Sequence, residues 1–296
     1  MLFVLMKRNI KLFFKDKGMF FTSLITPAIL LVLYVSFLGN VYRDSFLMNL
    51  PPNMTISEKL LDGLVGAQLI SSILAVSCVT VAFCSNFLMV QDRANGSLKD
   101  LRISPVKPAT LSIAYYLATL ISTLIICFVA TGICLVYIAT VGWYFSVADV
   151  LLLLLDVLLL VLFGTALSSV INFFLSTQGQ ISAVGTIVSS GYGFICGAYM
   201  PISSFGEGLQ KVISFLPGTY GTSLVRNHSM RGALKAMEDE GVPSELIESL
   251  RDALDCNLYF FEEQVQMPMM YAILGGSVVL LIGAYVLMNA MKKKQS

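Results

Sequence analysis

Few residues in this chain could do chemistry, and they are scattered. The densest group is Gln91-Asp92-Arg93-Ala94-Asn95-Gly96-Ser97-Leu98-Lys99-Asp100-Leu101-Arg102-Ile103-Ser104-Pro105, set between two long apolar runs. Leu98, Leu101 and Arg102 fall at i, i+3 and i+4, and Pro105 ends the turn, so the spacing predicts a short helix over 97–104. Gly96 gives it a flexible entry, and Asp92 favours its N-terminus electrostatically. A helix this short is marginal unless it docks on something, so the group reads as a contact with a partner in water. Asp156 sits inside Leu151–Leu160, a run of Leu and Val where an ionised carboxylate is costly. It reads either as a proton or cation site or polar partner for another helix, or as a residue near the outer end of a tilted span, with Asp149 interfacial. No intramembrane Lys, Arg or second acid offers itself as a partner. The one histidine, His228, reads as a solvated residue rather than a pH sensor.

Enzyme signatures are missing from the sequence. It has no Gly-x-x-x-x-Gly-Lys-Ser/Thr for a P-loop, no His-Glu-x-x-His and no Gly-x-Ser-x-Gly. Five of the six cysteines (78, 84, 127, 134 and 196) lie in apolar segments, and only Cys256 lies in a polar one. There is no Cys-x-x-Cys spacing, so neither a metal site nor a disulfide framework is expected.

The elements that must position these residues are membrane spans. Of 296 residues, 56% are hydrophobic and 12% charged, against about 25% charged in soluble domains. The mean hydropathy is +0.81. A net charge of +1 without a basic stripe gives no footprint for nucleic acid. Six stretches reach the roughly 20 apolar residues of a span: 19–38, 64–90, 110–140, 148–174, 180–200 and 268–291. The fold class is therefore an all-α membrane protein with six transmembrane helices. Residues 1–18 alternate apolar and basic faces, as an interfacial helix does, and are not expected to act as a cleavable signal, because basic residues interrupt them before any long apolar run.

Basic residues set the orientation. Twelve of the 19 Lys and Arg residues lie in the N-terminal segment, the 91–108 loop and the C-terminal tail. Both termini are thus expected in the cytoplasm, with 201–267 outside and an amphipathic helix in its second half. Gly193-x-x-x-Gly197 would permit close helix packing. Gln68, Ser71, Ser72, Ser77, Thr80, Ser85 and Asn86 form a polar face on the second span, able to line a path or to bond its own backbone.

The 92–105 stretch resembles a motif of ABC-2-type transporter permeases, acid-Arg-x-x-Gly-Thr-Leu-x-x-Leu-x-x-x-Pro, with Ala94 and Ser97 as mild departures. Gly197-Ala198-Tyr199-Met200-Pro201 and Phe215-Leu216-Pro217-Gly218-Thr219-Tyr220 resemble the family's fifth-span end and its re-entrant external helices. The resemblance implies a transmembrane domain over 19–291 and a coupling loop at 91–108. It assigns ATPase coupling to Asp92, Arg93, Gly96, Ser97, Leu98, Leu101, Arg102 and Pro105, and a substrate path to Phe83, Phe87, Ser189, Tyr192 and Phe194. It also implies a homodimer of permeases in a bacterial plasma membrane, with two cytoplasmic ATPase subunits that hold the ATP and Mg. This chain would then bind no cofactor. The cargo would be a drug, antimicrobial peptide or lipid-like molecule moved out of the cell. Alternatives are a polysaccharide exporter, or a channel or secondary transporter working without an ATPase.

Overall fold

The computed structural model describes residues 1–48, 56–103, 106–261 and 263–294. Helix α1 (Leu2–Lys15) buries Leu5, Asn9 and Phe13 as it packs along α6 (Pro108–Val141). Asp16 ends α1 and caps α2 (Lys17–Leu33), accepting from the Met19 N–H at 3.1 Å. A π-turn (Tyr34–Leu38) carries α2 into α3 (Gly39–Met48). There the Tyr34 hydroxyl donates to the Val65 carbonyl of α4 (Glu58–Ala94). Helix α4 is followed by α5 (Ser97–Ile103), α6, α7 (Val147–Phe173) and α8 (Gln178–Ile195). Capping boxes start α7 (Ser146 with Asp149) and α8 (Thr177 with Gln180), satisfying N–H groups that a helix start leaves open.

The chain is organised around α4. Its 37 residues rise about 54 Å, and nearly every side chain from Leu60 to Val90 is buried. Helices α2, α6, α7, α8 and α10 (Pro217–Asp239) pack against it. Contact is closest where small residues meet: a Cβ on Gly164 of α7 would lie 2.9 Å from the Cys78 carbonyl oxygen and 3.0 Å from Val79 Cα. Asn86 adds a polar clasp, its Nδ2 donating to Ser168 Oγ and Ser169 Oγ at 3.0 Å each. This bond uses one residue of the polar face expected on the second span.

Five helical runs among the described residues are long and apolar enough to cross a membrane: Lys17–Asp44, Glu58–Ala94, Pro108–Val141, Val147–Phe173 and Met267–Met291. They match five of the six expected spans, the second extended at both ends. The sixth candidate, α8, has 18 residues and stops at Ile195, short of the expected boundary at 200. Gly197 follows with a left-handed φ of +74°, so the Gly193-x-x-x-Gly197 pair does not lie on one helix face. A Cβ on Gly193 would strike the Tyr199 ring at 2.2 Å, so this glycine makes room for a turn and not for a second helix.

Residues 201–267 hold more structure than an external loop. After a 3-10 turn (Ile202–Ser204) come α9 (Glu207–Ser214), α10 and α11 (Ser244–Ala253). Helix α10 packs against α4, α7 and the last helix, α12 (Met267–Lys294), burying most of Gly218–Met230. Among the described residues the exception to the all-helical expectation is a two-stranded antiparallel ribbon of β1 (Leu258–Phe260) and β2 (Glu263–Val265), with Leu258 opposite Val265. We refer to 197–266, apart from the part of α10 packed among the other helices, as the cap.

Gly164→Ala is expected to lower stability by about 1–3 kcal/mol through overpacking against α4. Gly132→Ala on α6, where a Cβ meets nothing within 4 Å, is expected to leave stability unchanged or raise it slightly. Thermal unfolding of the two purified variants checks the difference.

Candidate functional site

The root of α5 is tied to three other helices. Asp92, buried near the end of α4, accepts from Arg8 Nη1 of α1 at 2.8 Å and from the Tyr115 hydroxyl of α6 at 2.5 Å. Burial opposes the Arg8 charge, but the hydrogen bond to Asp92 and its negative charge outweigh this and hold the guanidinium protonated. Arg93 points the other way. Its Nη1 donates to the Phe173 carbonyl at 2.9 Å and to the Leu175 carbonyl, tying α4 to the end of α7. Carbonyls at a helix C-terminus lack intrahelical donors, and an Arg satisfies them well. Asp92 therefore braces α4 against α1 and α6.

Gly96, with a left-handed φ of +82°, makes the turn into α5. The helix presents an unexpected face. Leu98 is 8% exposed, and half-buried Leu101 packs against the core, so both apolar residues face inward. Ile103 is 85% exposed and is the apolar side chain on the outward side, in the same helix as exposed Asp100. Ser97 is half-buried at the start of the helix. The backbone of Arg102 lies within α5; Pro105 is outside the described residues.

The five residues assigned to a substrate path lie in two environments. Phe83 and Phe87 are buried in α4, the Phe87 ring 3.3 Å from where a Cβ on Gly185 of α8 would stand. Tyr192 wedges its hydroxyl against Gly218 at the start of α10, where a Cβ would come within 2.5 Å. Ser189 is half-buried, and its carbonyl accepts from the Tyr199 hydroxyl at 3.4 Å. Phe194 is exposed, its ring edge-on to Tyr199 at 4.9 Å. The set follows α4 and α8 without gathering at one point.

Asp156 has partners after all. It is fully buried; its Oδ2 lies 2.6 Å from His228 Nδ1 on α10, and its Oδ1 accepts from the Tyr271 hydroxyl of α12 at 2.6 Å. His228 is 3% exposed, which overturns its reading as a solvated histidine. One helical turn further, Arg231 Nε reaches Asp149 at 2.6 Å. Asp149 and Asp156 lie seven residues apart on α7, and His228 and Arg231 three apart on α10, so two facing pairs join antiparallel helices. These spacings were present in the sequence, but placing 201–267 outside the spans hid the match.

A third pair braces the cap. Buried Arg226 donates through Nη1 to the Leu254 carbonyl (2.7 Å) and to Asp255 Oδ2 (3.3 Å), and through Nη2 to the Gly197 carbonyl (2.9 Å). Asp255 Oδ2 also accepts from the Ile202 N–H at 2.9 Å. Burial pushes the Asp255 carboxyl up to about 6, against the charge of Arg226 and the Ile202 hydrogen bond. No group of three or more His, Cys, Asp or Glu residues among those described is arranged to hold a metal ion.

These features define a class: a helical membrane protein in which a seven-residue helix follows a root braced to three others. The model of the ABC-2 type transporter family matches residues 1–228, and the chain belongs to that family. It is an integral membrane permease of ABC transport, a transport component and not itself an enzyme; family members generally work with an ATPase subunit. Comparison with curated proteins finds no match. The family match ends within α10, at His228, so α11, the ribbon and α12 lie beyond it.

Removing one partner of a buried hydrogen-bonded pair leaves the other unsatisfied, at a cost of about 1–3 kcal/mol. Asp156→Ala is expected to destabilise by that order, and adding His228→Ala to cost much less than it does alone. A double-mutant cycle on chemical or thermal unfolding checks the coupling. The cap has its own pH dependence. Folded Asp255 keeps its proton to about pH 6, whereas an unfolded aspartate loses it near 3.9. Its contribution is full below about pH 4 and lost as pH rises through 6. Hydrogen-exchange protection of 197–258, corrected for intrinsic rates, is expected to fall from pH 4.5 to 7, and Asp255→Asn to flatten the fall.

Proposed function

We propose that this chain is the permease of an ATP-driven exporter that moves an amphipathic or hydrophobic cargo, such as a drug, an antimicrobial peptide or a lipid-like molecule. Its ATPase is a separate cytoplasmic subunit that holds the ATP and Mg. Two permeases and two ATPases make the working unit, with α8 as the sixth span, α9 and α10 re-entering the membrane, and both termini in the cytoplasm. The observation that carries this reading is the bracing of the α5 root by Asp92 and Arg93, with Ile103 left bare at the tip. A seven-residue helix is not stable by itself, so its position depends on that root. A push on α5 reaches α1, α6 and α7 together because the root is bonded to all three. Such a lever suits a two-state machine, in which nucleotide must favour one access state by several kcal/mol, about 5.5 for a nearly complete switch.

The Asp156–His228 pair supports a second reading, a proton-coupled transporter, because buried titratable pairs within spans often mark proton routes. That reading requires flux without any ATPase.

The two are separated at α5. Ile103→Asp alters an exposed side chain and is expected to leave the melting of the purified permease nearly unchanged, within about 0.5 kcal/mol. It is also expected to abolish stimulation of the ATPase by the permease. Leu98→Asp, which buries a charge, is expected to lose both. Full ATPase stimulation by the Ile103→Asp variant would overturn the docking role of α5.

A further inference from the structure

Two cavities in the cap share a wall. The larger, 820 Å³, opens between α9, the start of α10, the end of α11 and β1, within the roughly 300–1,000 Å³ usual for small-ligand sites. Tyr220, Tyr259 and Phe261 supply aromatic surface to it, and Glu207, Lys211 and Asp252 supply charge. The smaller, 450 Å³, is mostly apolar and runs along Phe215, Phe260, Val265, Met269 and Ile273, reaching the second turn of α12. Ser214 and Tyr220 line both. Tyr220 is buried and fixed by its hydroxyl, which donates to the Ser214 carbonyl at 2.5 Å. A polar compartment thus adjoins a greasy one across a rigid divider.

The charge of a fitting ligand follows from what is already paired. Asp255 is engaged by Arg226 and the Ile202 N–H. Asp252 Oδ1 accepts from Asn257 Nδ2 at 2.8 Å and from the Tyr259 hydroxyl at 2.9 Å, neutral donors that orient the carboxylate without cancelling its charge. Among the described residues neither Glu207 nor Asp252 makes an ion pair, and Lys211 is the one ammonium on the wall. The wall carries surplus negative charge beside aromatic rings, a combination that attracts organic ammonium ions. An anionic head group would face two carboxylates.

We propose that the cap binds a cationic amphiphile, its ammonium head beside Glu207, Asp252 and Tyr259, and its hydrocarbon tail along Phe215, Phe260 and Met269. This deepens the transport reading, and rests on it, by naming the charge of the cargo and a place where the cargo meets the permease. Most residues lining the two cavities lie beyond the family match.

The test is equilibrium binding to the full-length permease in lipid nanodiscs without any ATPase, with empty discs as reference. The probes are butyl-, hexyl- and octyl-trimethylammonium. Binding is expected to strengthen about two- to fourfold per added methylene, with no competition from hexyl sulfate or hexanol. Glu207→Gln, at an exposed position, is expected to weaken the series about three- to fivefold. Phe260→Ala is expected to flatten the dependence on chain length while tetramethylammonium binding stays the same. Equal binding of hexyl sulfate would overturn the proposal, as would unchanged affinity in Glu207→Gln or a wild-type series independent of chain length. The last result is also what a bilayer lipid or a second copy filling the apolar trough would give. Absence of binding alongside intact ATPase stimulation would remove the site and leave the transport reading standing.

Discussion

A buried helix with no exposed side can be held only by its neighbours, and α4 is such a helix. Among the described residues α1, α2, α3, α5, α6, α7, α8 and α10 all pack against it, so its position is the sum of their positions. Apolar packing fixes most of the contact, but it is not directional. Direction comes from the polar groups, which must find partners because the surroundings cannot solvate them. Asn86 finds Ser168 and Ser169, Asp92 finds Arg8 and Tyr115, and Asp156 finds His228 and Tyr271. Each bond joins different helices, so each sets register as well as proximity.

Register is what a lever needs. Helix α5 continues from α4 after a single left-handed glycine, and Asp92 and Arg93 bond to α1, α6 and α7 just before that turn. The acid-Arg pair of the motif therefore acts inside the permease, bracing the root, and the exposed side chains of α5 lie further along, at Asp100 and Ile103. At the far end of α4, Ser57 meets Glu240 at the end of α10 through its N–H (3.3 Å) and its hydroxyl (3.2 Å). One helix thus links the root of α5 to the cap.

Most of the spans could be read from the sequence, because an apolar run of about 20 residues flanked by basic ones suits a bilayer and little else. The coupling stretch was legible as a short helix, but its inward and outward faces were not: the two leucines that look like a docking surface are the ones the protein uses itself. Position 228 shows the larger gap. A histidine in a stretch of mixed polarity resembles a loop residue, and only the packing of α10 among α4, α7 and α12 makes it the partner of Asp156. That packing depends on close approach at Gly218 and Gly221, where a Cβ would meet Tyr192 and Leu160 at 2.5 and 2.4 Å. Glycines between polar residues carry no hydrophobic period, so the usual signal of a buried helix was absent. The ribbon was missed for a related reason, since three-residue strands are too short to show alternation.

The central claim is that this chain moves its cargo only when another subunit's ATP drives it. The most direct measurement is efflux of a fluorescent cationic amphiphile in proteoliposomes reconstituted with the permease, with or without its ATPase and with ATP or a non-hydrolysable analogue. The account predicts flux only when permease, ATPase and hydrolysable ATP are all present. Flux through the permease alone, driven by a proton gradient, would contradict it.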